Sequence, residues 1–200
     1  TTMKKSVPAA ALATALVASP AFAQDAGFAG PRVELLAGYD IVEGDEGLVY
    51  GVAAGYDVAV GQGVIGIEAE INDSTVRETT TDFDVVGDEL TIGAGRDIFV
   101  GGRLGFAAGP RTLVYAKAGY VNGGIDVRYD DGTTVTKARP KGDGYRIGAG
   151  IEQQLNLLGP KSYARLEYRY SNYGNIDYAG TSIAANIDRH QILVGLGLRF

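Results

Sequence analysis

The chain has 200 residues, with 18 Lys plus Arg against 24 Asp plus Glu and a formal net charge of −6. That length holds one domain or at most two, and the acidic balance suits a nucleic-acid partner poorly. The absence of Cys removes disulfides, thiolate zinc sites and thiol catalysis, a hydrophobic share of 46% argues against disorder, and the 30 glycines keep no period of three, which excludes a collagen.

Residues 3–23 read MKKSVPAAALATALVASPAFA. Lys4 and Lys5 give a basic front, Val7 to Val17 an apolar run, and Ala21-Phe22-Ala23 a small-x-small cleavage site. This is the pattern of a secretory signal peptide. It divides the chain into residues 1–23, a signal peptide in which Thr1 and Thr2 are extraneous to a start at Met3, and residues 24–200. The run is too short for a membrane anchor and is bracketed by Pro8 and Pro20. Without Lys4 and Lys5 the basic count falls from 18 to 16, and 24 acids leave a mature charge of −8. No later stretch of about 18 apolar residues offers a transmembrane helix.

The rest has a period of two. Strand signals fall at Arg32–Asp40, Val49–Val60, Gly63–Asn72, Ile98–Ala108, Thr112–Val121, Tyr145–Leu155, Tyr163–Tyr173 and His190–Phe200. These are strands of roughly ten residues, the length of a tilted strand crossing a bilayer. One face carries only uncharged residues, such as Leu35, Val52, Ile67, Leu104, Val114, Ile147, Leu166 and Leu196. The other holds Glu34, Asp57, Glu68, Glu70, Glu152 and Glu167 with Arg103, Lys117, Arg146, Arg165, Arg169 and Arg199, interspersed with glycines such as Gly55, Gly66, Gly101, Gly148, Gly150 and Gly195.

Alternation alone does not say which face meets water. A soluble barrel or sandwich turns the apolar face inward; a membrane barrel turns it to lipid. Export, glycines that weaken a water-facing strand yet make room in a crowded interior, and aromatics near strand ends (Tyr39, Tyr50, Tyr56, Tyr120, Tyr145, Tyr168, Tyr170, Phe200) favour the membrane barrel. With both ends in the periplasm, the inner joins are short: Gly61-Gln62, Gly109 to Arg111 and Asn156 to Lys161. The outer joins run over 41–48, 73–97, 122–144 and 174–189. Within 73–97, Leu90 to Ala94 suggest that the fourth strand extends or carries a bulge. The fold expected is therefore all-β: an eight-stranded antiparallel up-and-down transmembrane β-barrel with short periplasmic turns and longer extracellular loops, monomeric because a closed barrel has no edge to share.

The segments Leu113 to Tyr120 (LVYAKAGY) and Tyr145 to Glu152 (YRIGAGIE), and the ending Gly195-Leu196-Gly197-Leu198-Arg199-Phe200, resemble the outer-membrane β-barrels of the small porin family. They are similar to the OmpA transmembrane domain and to alphaproteobacterial surface-antigen and opacity barrels. The resemblance covers essentially all of 24–200. It implies residence in the outer membrane of a Gram-negative cell, among outer-membrane lipids and lipopolysaccharide. Periplasmic chaperones and the barrel-assembly machinery are the implied partners in biogenesis, the latter reading Phe200 as its assembly signal. The OmpA peptidoglycan-binding domain is not matched, and the name "porin" does not settle transport.

An eight-stranded barrel is about wide enough for its own side chains, so the enclosed charges must pair. Arg103, Arg146, Arg165, Arg169 and Arg199 are expected to zip against Glu34, Glu68, Glu70, Glu152 and Glu167, with Lys117 among them. Such a network either fills a structural core or, if it rearranges, gates a narrow path for small solutes or ions; a loop-mediated adhesion or recognition role is a third option. Catalysis is not expected: the sole histidine, His190, has Asp188 two residues away on the same strand face, but neither Gly-x-Ser-x-Gly nor His-Glu-x-x-His occurs. Asp126 to Asp131 lacks EF-hand spacing and reads as solvated loop. No cofactor or metal is expected. The Thr- and Asp-rich outer loops read as solvated and mobile, and Arg128, Lys137, Arg139 and Lys141 as candidates for lipopolysaccharide phosphates.

Overall fold

The structure, a computed structural model, describes residues 27–82, 86–155, 157–178 and 181–200, with side chains outside 175–186. The expected signal peptide, residues 1–23, and Asn156 lie outside the described residues. The described chain forms β1 (Gly30–Val42), β2 (Asp45–Val60), β3 (Gly63–Ser74), β4 (Arg77–Thr81), β5 (Glu89–Ala107), β6 (Thr112–Asp130), β7 (Val135–Ala138), β8 (Lys141–Leu155), β9 (Ser162–Tyr178) and β10 (Thr181–Arg199). Eight of these pair with their sequence neighbours in antiparallel register, in the order β5-β3-β2-β1-β10-β9-β8-β6, and β5–β6 completes the circle. The two ends of the chain meet at the β1–β10 seam, where Val33 faces Leu198 and Leu35 faces Leu196. Closure leaves no free edge along the barrel wall.

The period of two assigns the faces. Ile67, Ile147 and Leu196 are 68%, 50% and 47% exposed, while Glu68, Arg146 and Arg165 are 2%, 0% and 2% exposed. A water-soluble protein has no reason to present a continuous apolar wall around a closed ring of buried charge; hydrocarbon outside supplies one. Tyr39, Tyr50, Tyr120, Tyr145 and Tyr168 are exposed near the hairpin end of the wall, and Tyr56, Phe106 and Phe200 near the opposite end. Two aromatic belts thus bound the apolar band.

The glycines of the inner face make room for long side chains. A Cβ on Gly195 would stand 2.8 Å from Arg165 Cγ, one on Gly55 2.7 Å from Arg32 Nη2, and one on Gly150 2.6 Å from the Tyr115 hydroxyl. Each is closer than carbon tolerates, so large interior residues and their glycine neighbours are one packing unit.

The turns Gly61-Gln62, 108–111 and 157–161 close one end, as the alternation predicts. The other end corrects the sequence reading, because most of the expected outer loops are strand. The first shrinks to Glu43-Gly44, both at positive φ (50° and 100°), the geometry of a two-residue hairpin turn. Thr79 to Thr81 lie in β4 rather than in a loop. β5 extends back to Glu89, and its register shifts between Ala94 and Asp97, so extension and bulge are both present. β6 runs on to Asp130 and pairs with β7; Pro140, which has no N–H to donate, falls at the break before β8. Together β4, β5, β6 and β7 raise a four-stranded sheet above the membrane. The physical reason is that the outer strands β4 and β7 are wet on both faces. Every residue of β4 is exposed, so the alternation that marks a strand fades while Thr, Val, Ile and Tyr keep the backbone extended.

Candidate functional site

Eight bases and eight acids on the barrel strands are buried: Arg32, Arg103, Lys117, Arg146, Arg165, Arg169, Arg189 and Arg199, against Glu34, Asp40, Asp57, Glu68, Glu70, Asp97, Glu152 and Glu167. They come from every barrel strand, because each strand's inward positions repeat every second residue. A ninth buried acid, Asp88, lies outside the lumen on the hairpins, where it accepts from the Tyr129 hydroxyl. The lumen is formally neutral.

Three tiers can be followed from the turn end outward. In the first, Asp57 accepts from Arg32 Nε at 3.0 Å, Arg103 Nη2 at 2.8 Å and Arg199 Nη1 at 2.9 Å. Glu152 accepts from Arg103 at 3.0 Å and Arg199 at 2.7 Å. Arg32 also pairs with Glu34. In the second tier, Lys117 Nζ sits among Glu68, Glu70 and Glu167 at 2.8, 2.5 and 2.7 Å. Arg165 reaches Glu34, Glu68 and Glu70 at 2.8, 3.0 and 3.1 Å. In the third, Glu70 accepts from Arg169 at 2.6 Å and Arg146 at 3.3 Å. Arg146 donates also to Asp97 at 3.1 Å, and Arg189 bridges Asp97 at 2.8 Å and Asp40 at 2.6 Å.

Aromatic rings complete the packing. Lys117 lies 4.9 Å from the Phe99 ring centroid and Arg103 4.9 Å from that of Tyr115, a favourable placement for a desolvated cation. The Tyr115 and Tyr163 hydroxyls donate to Glu167 and Glu34, each at 2.6 Å. Apolar clusters close both ends: Phe28, Val64 and Leu113 below, Phe99, Val121 and Tyr173 above.

All eleven charged residues singled out in the sequence, Glu34, Glu68, Glu70, Arg103, Lys117, Arg146, Glu152, Arg165, Glu167, Arg169 and Arg199, fall in this one network. Sequence reasoning missed Arg32, Asp40, Asp97 and Arg189, whose parity was right but which stood at or beyond the ends of the expected strands. It also missed the inward Phe99, Tyr115, Tyr163 and Tyr173, readable from the same parity. Glu68, Glu70 and Glu167 bring ligand oxygens within 4.8 Å of one another, as a metal site would. Lys117 already supplies the cation, so these carboxylates serve the network. Asp188 and His190 do not form a pair: Asp188 accepts from Tyr170 at 2.6 Å and Asn172 at 2.8 Å, while His190 Nδ1 bonds the Tyr168 hydroxyl at 2.8 Å. Asp126 and Asp130 pair with Arg139 at 2.6 Å and Arg128 at 2.9 Å. Phe200 is exposed on the lipid-facing side, its N–H bonded to the Pro31 carbonyl at 2.9 Å.

A closed eight-stranded wall with an apolar exterior and a charged interior has relatives. The sequence model of the outer membrane protein β-barrel domain matches residues 9–200. The chain belongs to this family. It is 31% identical over 155 residues, 75% of its length, to the 25 kDa outer-membrane immunogenic protein of Brucella abortus biovar 1 (strain 9-941). It is 30% identical over 156 residues, 74% of its length, to the 22 kDa outer membrane protein of Rhizobium leguminosarum bv. viciae. In both cases the match spans 64% of the relative. Neisserial surface protein A has a similar fold, with a TM-score of 0.56 at 14% identity, covering 86% of this chain and 97% of that one. As a member of this family the chain is an outer-membrane barrel protein, and its long hairpins point outward, as they do in such barrels.

Proposed function

We propose that the barrel is a non-conducting, non-catalytic scaffold that holds its hairpin sheet at the cell surface, a structural and surface role in the envelope. The observation that carries this reading is the buried, formally neutral network, in which carboxylates from one wall reach cations from the other across the lumen. Opening a path would separate buried partners, and leaving one uncompensated costs about 3–5 kcal/mol. The test is planar-bilayer recording of the refolded chain. A flat trace is expected; stable unitary currents that vanish when Glu68 and Glu152 are neutralised to Gln would overturn the reading.

A second reading is a narrow gated path. Arg103 Nη1, Arg146 Nη2 and Arg169 Nη2 are buried without a hydrogen-bond partner among the described residues, and buried donors of this kind are where ordered water binds. A connected thread of such water would pass small ions, and the same recording decides between the two. On the outside, Lys137, Arg139 and Lys141 are our candidates for contact with lipopolysaccharide phosphates. Unchanged lipopolysaccharide binding after their replacement by Gln ends that part. Phe200 remains our candidate assembly signal: Phe200→Ala should slow machine-assisted assembly and leave unassisted refolding intact.

A further inference from the structure

Above the third tier the barrel mouth opens into a cup of about 210 Å3 between the hairpins. Its walls are Val42, Val76, Ile92, Ala94, Ile125 and Ile187. Its floor is the Tyr173 ring and Arg189, whose guanidinium is already matched by Asp40 at 2.6 Å and Asp97 at 2.8 Å. The floor thus carries no unbalanced charge. The lining also includes three carboxylates, Glu43 and Asp45 on the β1–β2 hairpin and Glu78 on β4. Among the described residues no Lys or Arg forms an ion pair with any of the three, although Glu43 accepts the Asp188 N–H at 2.6 Å.

An apolar well with a few placed polar groups is the usual form of a small-molecule site. A cavity of about 150 Å3 accepts benzene, so this one has room for one or two rings. These three carboxylates, none matched by a base, lie within a Debye length of the well, about 8–10 Å at ordinary ionic strength, and favour a positive charge over a neutral or negative one. We propose that the cup binds a small amphiphilic cation from the outside: a ring system or short alkyl body in the well, its ammonium held by Asp45 and Glu78, Glu43 being engaged by the Asp188 N–H. The network beneath blocks onward passage, so this is capture at the surface, a role beyond that of a scaffold.

The test uses isoleucine methyl-labelled protein refolded in an uncharged detergent and titrated with 1-naphthylmethylammonium, 1-naphthylmethanol and 1-naphthylacetate. These probes share an apolar body and differ in charge. Ile92, Ile125 and Ile187 report the cup, whereas lipid-facing Ile67 and Ile147 report partition into detergent. Saturable shifts are expected at the first set, with the cation binding about tenfold tighter than the alcohol and the carboxylate weakest. Asp45→Asn with Glu78→Gln should erase the preference for the cation while the alcohol still binds. Ala94→Phe should abolish binding of all three; Val42→Phe serves the same purpose should Ala94→Phe not refold, with heat-modifiable gel mobility as the folding check. Equal affinities for the three probes, shifts confined to Ile67 and Ile147, a cation preference that survives the double variant, or full binding with the well filled would each overturn the proposal.

Discussion

Lys117→Met removes the cation at the centre of the network with little change in side-chain volume. In the native barrel its Nζ lies within 2.8 Å of Glu68, Glu70 and Glu167, and all four side chains are fully enclosed. The change takes the lumen from neutral to −1 and leaves three carboxylates facing a methyl group. Arg165 and Arg169 still hold Glu70, but Glu167 keeps only the Tyr115 hydroxyl and a 3.6 Å contact to Arg165. Breaking a buried pair on one side costs about 3–5 kcal/mol. Reversible urea unfolding in liposomes should therefore show a lower midpoint at an unchanged slope. Lys117→Met with Glu167→Gln restores neutrality and should recover at least about 1 kcal/mol of the loss, a coupling expected of residues in contact. A cost below about 1 kcal/mol for the single variant is what an exposed, water-screened pair would give, and it would refute the dry, interlocked lumen on which the scaffold reading rests.

The wall and the hairpins should respond differently to the same insult. Leu196 is midway between Ile192 and Phe200 on the lipid-facing side of β10, so Leu196→Arg should cost about 2–4 kcal/mol in liposomes. Val135→Arg, exposed on the hairpin strand β7, should stay within about 0.5 kcal/mol; similar costs at both positions would put hydrocarbon in the wrong place. Gly150→Val would set a Cβ 2.6 Å from the Tyr115 hydroxyl and 2.6 Å from the Leu166 carbonyl, and should cost about 1–3 kcal/mol or more by overpacking, read as a lost or reduced heat-modifiable gel shift. In the β6–β7 turn, the Thr133 hydroxyl and the Thr133 and Thr134 amides donate to Asp131 at 2.7, 2.8 and 2.6 Å and hold its carboxyl below the usual carboxylate range. Because the folded value is depressed, the turn's bonds are intact above the ordinary carboxylate pKa and are lost as pH falls through the lower folded one. The Thr134 amide signal should therefore move with a midpoint below that of a free aspartate, and a midpoint at or above it would mean the turn is open.

Parity carried most of the fold. Any two inward residues two apart, such as Glu68 and Glu70 or Arg165 and Glu167, fix the face of the whole strand. Once lipid is placed on the uncharged side, the remaining charges have nowhere to go but the lumen. What parity could not give is where a strand stops. Lipid and lumen impose alternation only within the wall. Beyond it, Arg77 to Thr81 are exposed on both faces and carry no period, although they pair with β5 through five registered positions. Nor could a one-dimensional pattern say which acid meets which base: Arg146 and Asp97 are 49 residues apart, and Arg165 and Glu34 are farther still. Those pairings follow from closure at the β1–β10 seam and from strand tilt.

The missed residues make the same point from the charge side. The sequence reading enclosed six acids and six bases; the strand-end positions it left out add Asp40 and Asp97, and Arg32 and Arg189, two of each sign. Neutrality is therefore kept when the count grows from twelve to sixteen. An accidental set of enclosed charges has no reason to stay balanced as its boundary is moved, whereas a lumen closed to bulk water does, because each unmatched charge there costs several kcal/mol. The acidic excess of the chain must then sit elsewhere. It appears on the outer hairpins, at Glu43, Asp45, Glu46 and Glu78, three of which line the cup. The division between a balanced lumen and an acidic mouth is the electrostatic reason why a cation offered from outside should stop at the mouth and go no deeper.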